Sequence, residues 1–156
     1  MKILSNSVKD TLRTGSRIAR FLRPGDIICL EGEIGLGKTI MAKGLALGLG
    51  VEAFKVTSSS FVLIREHTEG RLPFYHFDLY RLRDPLEIAS LGYEEYFYGD
   101  GVSAIEWPQR LGCLMPKECL LVKLNYKGPN ERILNFSGTG QRYKELIDKL
   151  NEDIGD

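Results

Sequence analysis

Residues 32–39 read "GEIGLGKT". Gly32, Gly37, Lys38 and Thr39 satisfy the pattern G-x-x-x-x-G-K-[ST] completely. Glycines let backbone N–H groups converge on phosphate oxygens with no Cβ in the way. A lysine at position 38 would reach the β and γ phosphates of a nucleotide, and the Thr39 hydroxyl would ligate Mg²⁺. The stretch from Gly32 through Glu33, Ile34, Gly35, Leu36 and Gly37 to Lys38, Thr39 and Ile40 is therefore the expected nucleotide cradle. The alternative is a glycine-rich turn that carries an incidental lysine.

Phosphate chemistry at such a loop needs a second acidic group near the metal. Two apolar runs end in one: "FYHFD" in Asp78 and "VSAIE" in Glu106. Either carboxylate could hold Mg²⁺ through water or orient an attacking water. The sequence leaves that assignment open, and a strand-end carboxylate capping a loop is the plain alternative for each. "VTSSSF", residues 56–61, lies where a segment reading the γ-phosphate is often found. A polar loop explains it equally well. No N-K-x-D is present and no D-x-x-G follows a buried strand, so adenine is favoured over guanine.

These residues need a frame. "DIICLE" before the loop is a buried strand, and "KTIMAKGLALGL" after it has helix formers with apolar spacing. The loop then opens a helix, whose N-terminus adds partial positive charge for an anion. Residues 5–22 read as an earlier helix with Val8, Leu12, Ala19 and Leu22 on one face, weakened at Gly15. "SFVLIREHTEG" and "PFYHFDLYRL" read as two strands with a turn near Gly70. On an extended strand His76, Asp78 and Tyr80 share a face. "DPLEIASLG" starts as a helix with Asp84 as N-cap and Pro85 in the first turn. "VSAIEW" is a short buried strand, "ECLLVKLNYKG" and "ERILNFSGTG" form a hairpin, and "GQRYKELIDKL" is a closing amphipathic helix. The expected class is α/β: one domain over 1–156, with a mixed, mostly parallel sheet flanked by helices.

The whole composition restrains the function. Lys plus Arg and Asp plus Glu number 21 each over 156 residues. That balance argues against a protein ruled by nonspecific attraction to nucleic acid. Lys9, Arg13, Arg17 and Arg20 follow near-helical spacing. They could meet a nucleic acid or an acidic partner surface, or simply form a solvated face. Two histidines and three scattered cysteines suggest neither a zinc site nor a disulfide frame. Neither a signal peptide nor a membrane span is read, so a cytoplasmic protein is expected.

Four blocks, "GEIGLGKT", "TSSSFVLIRE", "YHFDLYRL" and "AIEWPQRLG", resemble the TsaE (YjeE) family of small bacterial P-loop ATPases serving tRNA threonylcarbamoyladenosine biosynthesis. The resemblance implies a P-loop NTPase-type fold, ATP and Mg²⁺ as ligands, and a TsaB–TsaD pair as partner. It casts Lys38 as the phosphate lysine, Thr39 as a metal ligand and Ser60 as the first switch hydroxyl. Asp78 matches the second-switch acid and Glu106 the metal-linked acid. Trp107 matches a tryptophan near the nucleotide or the partner surface. The chain departs from the family at Ser59, where proline is usual, at Ser60, where threonine is usual, and at Gln109, where glutamate is usual. No arginine finger is written in the motifs, so hydrolysis is expected to be slow without partners. The rivals are a small-molecule kinase and a nucleotide-gated binding module. The acidic, tyrosine-rich segment 82–100 does not suit a kinase's Arg-rich lid. "YEEYFYGDG" within it could serve partner recognition or local packing.

Overall fold

The computed structural model describes residues 1–58 and 61–155. Along the chain lie β1 (Lys2–Ser5), α1 (Val8–Ala19), β2 (Ile27–Glu31), α2 (Lys38–Gly48), β3 (Ile64–His67) and β4 (Phe74–Asp78). There follow α3 (Pro85–Ser90), α4 (Tyr93–Phe97), β5 (Val102–Glu106), β6 (Leu120–Tyr126), β7 (Arg132–Gly138) and α5 (Gln141–Gly155). Further 3₁₀ turns occupy Ala53–Lys55 and, broken by a kink at Gly112, Pro108–Leu114.

The strands among the described residues form one sheet in the order β1-β7-β6-β2-β5-β4-β3. Its middle, β6-β2-β5-β4, is parallel, and both edges add antiparallel strands. The mixed sheet expected from the sequence is thus parallel where the strands are most buried. The β6–β7 hairpin is present as read. β1 was not anticipated: four residues show no period, and their hydrogen bonds come from β7.

The pleat divides the core in two. Ile28 and Leu30 of β2 face α1, α2 and α5, where they meet Ile18, Met41, Leu45 and Leu146. Ile27 and Cys29 face the other way, toward Ile88 of α3, Phe97 of α4 and Leu111. α4 accounts for much of the aromatic, acidic segment. Tyr96 stacks edge-on against Tyr75, with centroids 4.9 Å apart, and its hydroxyl donates to Glu66. Only Tyr98 of that run's tyrosines is strongly exposed.

α1 and α3 start at side-chain caps. Ser7 accepts from the Asp10 amide at the head of α1. Asp84 accepts from the Leu86 amide, and Glu87 reaches back to the Asp84 amide, a capping box with Pro85 in the first turn. The α1 face differs in part from expectation: Ala19 and Leu22 are buried as read, but Val8 is exposed, and Thr11, Gly15 and Ile18 are buried. The reason is Gly15. A Cβ there would stand 2.7 Å from the Met41 carbonyl oxygen and 2.9 Å from the Leu45 amide of α2. A Cβ on Gly44 would likewise strike the Leu12 carbonyl. The two helices touch backbone to backbone, which fixes α2, and the loop before it, against α1.

Helix propensity alone says that Gly15→Ala should stabilise the protein by about 1 kcal/mol. The contact with α2 says the reverse: a loss of about 1–3 kcal/mol from overpacking. A urea unfolding midpoint for this variant below the parent's is the expected result.

Candidate functional site

The glycine-rich loop begins where β2 ends and closes into α2. Gly37 takes φ +106° as the helix N-cap, a conformation that L side chains rarely adopt. Gly32 passes so near β6 that a Cβ would lie 2.8 Å from the Leu124 carbonyl oxygen. The loop is braced from outside by Arg132 of β7, whose Nε donates to the Leu36 carbonyl at 3.2 Å. Lys38 and Thr39 thereby stand at the first turn of α2, facing the carboxyl ends of β4 and β5.

The Lys38 amine donates to the carbonyls of Gly32 at 2.6 Å and Glu33 at 2.9 Å. It also lies 4.2 Å from the centre of the Trp107 ring. Burial pulls its pKa below the ordinary lysine value, opposed by the charges of Glu106, Asp78 and Glu33.

β4 and β5 are parallel and in register, with His76 beside Ala104 and Asp78 beside Glu106. Strand alternation sends His76, Asp78 and Glu106 to the face that carries α2. There the Thr39 hydroxyl donates to Glu106 Oε1 at 2.7 Å, and His76 Nε2 meets Glu106 Oε2 at 3.3 Å. Asp78 accepts from the Ser58 hydroxyl at 2.9 Å and from the Tyr80 amide at 3.3 Å. Glu106 and His76 are 2% and 1% exposed. A cavity of about 490 Å³ opens over these groups, walled by Ile34, Gly35, Gly37, Ile40 and Trp107.

Trp107 has φ +60°, unique among the described non-glycine residues. Such a backbone costs about 1–3 kcal/mol and is held by its surroundings. Tyr80 packs on the ring at 5.1 Å, and Lys38 sits over it. The tryptophan read as near the nucleotide or a partner therefore forms a wall of this cavity.

The structure brings Ile34, Gly35, Gly37, Lys38, Thr39, Ile40, Asp78, Glu106 and Trp107 around one space. Gly32 and Glu33 join through their carbonyls, whereas Leu36 turns to the core and Arg132. Ser60 lies outside the described residues. Ser58, from the same hydroxyl run, is a contact the sequence did not single out; nothing distinguishes it from its neighbours. Tyr80 and Arg81 follow the end of β4 and line the cavity. Arg81 makes no ion pair among the described residues and lies 5.5 Å from the Phe61 ring centre. The basic face of α1 is partly engaged within the chain: Arg17 and Arg20 both approach Asp153 of α5, and Arg13 approaches Asp10.

No group of three or more His, Cys, Asp or Glu among the described residues could hold a metal ion by itself. One hydroxyl and one carboxylate 2.7 Å apart remain. That is the donor set expected for Mg²⁺, which keeps water and takes phosphate oxygens as its other ligands.

The family model described as "Threonylcarbamoyl adenosine biosynthesis protein TsaE" matches residues 5–134. The tRNA threonylcarbamoyladenosine biosynthesis protein TsaE of Bacillus subtilis is 39% identical over 143 residues, covering 92% of this chain and 89% of that protein. The protein of the same name from Nostoc is 40% identical over 150 residues, covering 94% and 91%. The crystal structure of Bacillus subtilis YdiB superposes with a TM-score of 0.84 at 35% identity, over 98% of this chain and 95% of that one. The fold is of the P-loop NTPase type.

Lys38 yields a pH test with a definite sign. Its depressed pKa means that the unfolded chain binds the proton more tightly than the folded one. The charge therefore costs stability at neutral pH, and the cost is relieved as pH rises from the depressed value toward 10.5. Urea midpoints of the parent relative to Lys38→Met are expected to rise across that alkaline interval. A flat or falling difference contradicts the desolvated lysine.

Proposed function

The chain belongs to the TsaE family of threonylcarbamoyl adenosine biosynthesis proteins, and from that premise we propose that it is an ATPase supporting threonylcarbamoyladenosine modification of tRNA. The observation that carries the ATPase reading is the Thr39–Glu106 hydrogen bond beside Lys38, at the mouth of the glycine loop. It joins the helix that would receive the phosphates to the strand that would supply the acid.

In this reading the loop amides and the α2 N-terminus hold the phosphate oxygens. Lys38 leaves the Gly32 and Glu33 carbonyls for the β and γ phosphates. Thr39 and Glu106 are the residues that would hold Mg²⁺, which when bound neutralises charge on the phosphate oxygens. The contact with Thr39 favours Glu106 over Asp78 for that role. Asp78, fixed by Ser58 and the Tyr80 amide, is left to orient the attacking water. Water oxygen bonds to the γ-phosphorus, the bond to the β–γ bridging oxygen breaks, and ADP carries the bond's electrons away. The water's proton passes by way of Asp78 to solvent. Catalysis of this kind is positioning plus charge stabilisation. Arg81 lines the cavity with its guanidinium near the Phe61 ring, and turnover by the chain alone is expected to be slow.

The proposed partner is a TsaB–TsaD pair in the cytoplasm, with direct tRNA contact left to that assembly. Among the described residues no helix is long and apolar enough to cross a membrane.

The test is ATP hydrolysis by the purified chain, alone and with the TsaB–TsaD pair, beside Lys38→Ala and Glu106→Ala. Turnover is expected to rise with the pair and to fall by about a hundredfold or more in Lys38→Ala. ATP-dependent assembly unchanged in Glu106→Ala would indicate a nucleotide-gated binding module instead. A phosphorylated acceptor would indicate a kinase.

A further inference from the structure

Glu106 is a carboxylate removed from water, and a buried carboxylate is tolerated only where donors meet its oxygens. Each oxygen has one. Thr39 serves Oε1 and His76 serves Oε2. The two donors are unlike. The Thr39 hydroxyl turns about a single bond and belongs to the nucleotide cavity. His76 lies behind Glu106, on the preceding same-face position of β4, and does not line the cavity. Its ring is held by the strand pleat and by Phe74, nearly parallel at 11° with centroids 6.5 Å apart.

We infer that His76 is a positioning residue: it anchors Glu106 Oε2 from behind, so that Oε1 stays turned to Thr39 and the metal. This rests on the nucleotide reading above and adds to it a residue that touches neither nucleotide nor metal. With the proton on Nε2, the ring donates to Oε2 and fixes the carboxylate's rotation. Without that donor Glu106 keeps one mobile partner and can swing away from the helix. Partners that orient a metal-binding side chain from behind typically carry ten- to a hundredfold in metal affinity. The rival account, a histidine that merely fills space beside Phe74, predicts no metal-specific effect.

The experiment measures affinity for a fluorescent ATP analogue with EDTA and with saturating Mg²⁺, in the parent, His76→Phe and His76→Gln. The ratio of the two affinities isolates the metal's contribution. Phenylalanine keeps the ring stacking and removes the donor; glutamine returns an amide N–H near the Nε2 position. His76→Phe is expected to retain EDTA affinity within about twofold and to lose about tenfold in the Mg²⁺ enhancement. His76→Gln is expected to recover it to within about threefold. An unchanged enhancement in His76→Phe, or equal losses in both variants, overturns the inference. Should His76→Phe fail to fold, His76→Asn takes its place, since its shorter amide falls short of Oε2. A parent that binds no nucleotide overturns the ATP reading itself. A parent that binds equally with EDTA and Mg²⁺ removes only the metal role of Glu106, and with it the inference.

Discussion

Asp78 and Glu106 end neighbouring parallel strands side by side, both largely out of solvent. Two carboxylates so placed need donors, because burial penalises their charge. The rest of the site can be understood as the supply of those donors. Thr39 comes from the helix after the glycine loop, His76 from two residues before Asp78 on β4, and Ser58 from the hydroxyl run. Lys38 stands close enough for both acids to raise its pKa against the opposing effect of burial. A cluster of this kind costs stability and is retained where it does chemistry.

The same constraint explains why the glycines fall where they do. Donors on α2 reach Glu106 only if that helix is held at one height above the sheet. Gly15 and Gly44 let α1 and α2 meet at their backbones, and Gly32 lets the loop pass against Leu124 of β6. At the opposite end of the sheet Arg142 of α5 grips Asp26 just before β2, with Nε–Oδ1 at 3.0 Å, and Tyr143 accepts from the Ile27 amide at 2.8 Å. β2 is thus anchored at its start while its end delivers the loop. The strained backbone of Trp107 belongs to the same frame. The residue turns abruptly out of β5 into Pro108, and its ring is clasped between Lys38 and Tyr80.

One family departure, Gln109, falls at the margin of this frame. Gln109 lies beside Trp107 on a second recess that also includes Lys123 and Tyr126, away from Asp78 and Thr39. The loss of a glutamate there leaves the paired acids and their donors intact. Ser59 and Ser60 lie outside the described residues, but the adjacent Ser58 already supplies a hydroxyl to Asp78.

The sequence by itself determined the loop, the strand before it, the helix after it and the two acids. These are local facts: glycine spacing, apolar runs and caps such as Asp84 act through near neighbours in the chain. It also carried the hairpin, whose two strands each hold a partial period. It could not show β1, whose four residues become a strand only because β7 offers its edge, nor α4, whose one turn is held by Tyr75 and Phe77. It placed Val8 on a buried face because periodicity sees hydrophobicity and not the close approach that Gly15 permits. Above all, it left Asp78 and Glu106 interchangeable. Thr39 and Glu106 are 67 residues apart in the chain. Which acid meets the helix is decided by strand order and register, and those arise only when β4, β5 and α2 pack together.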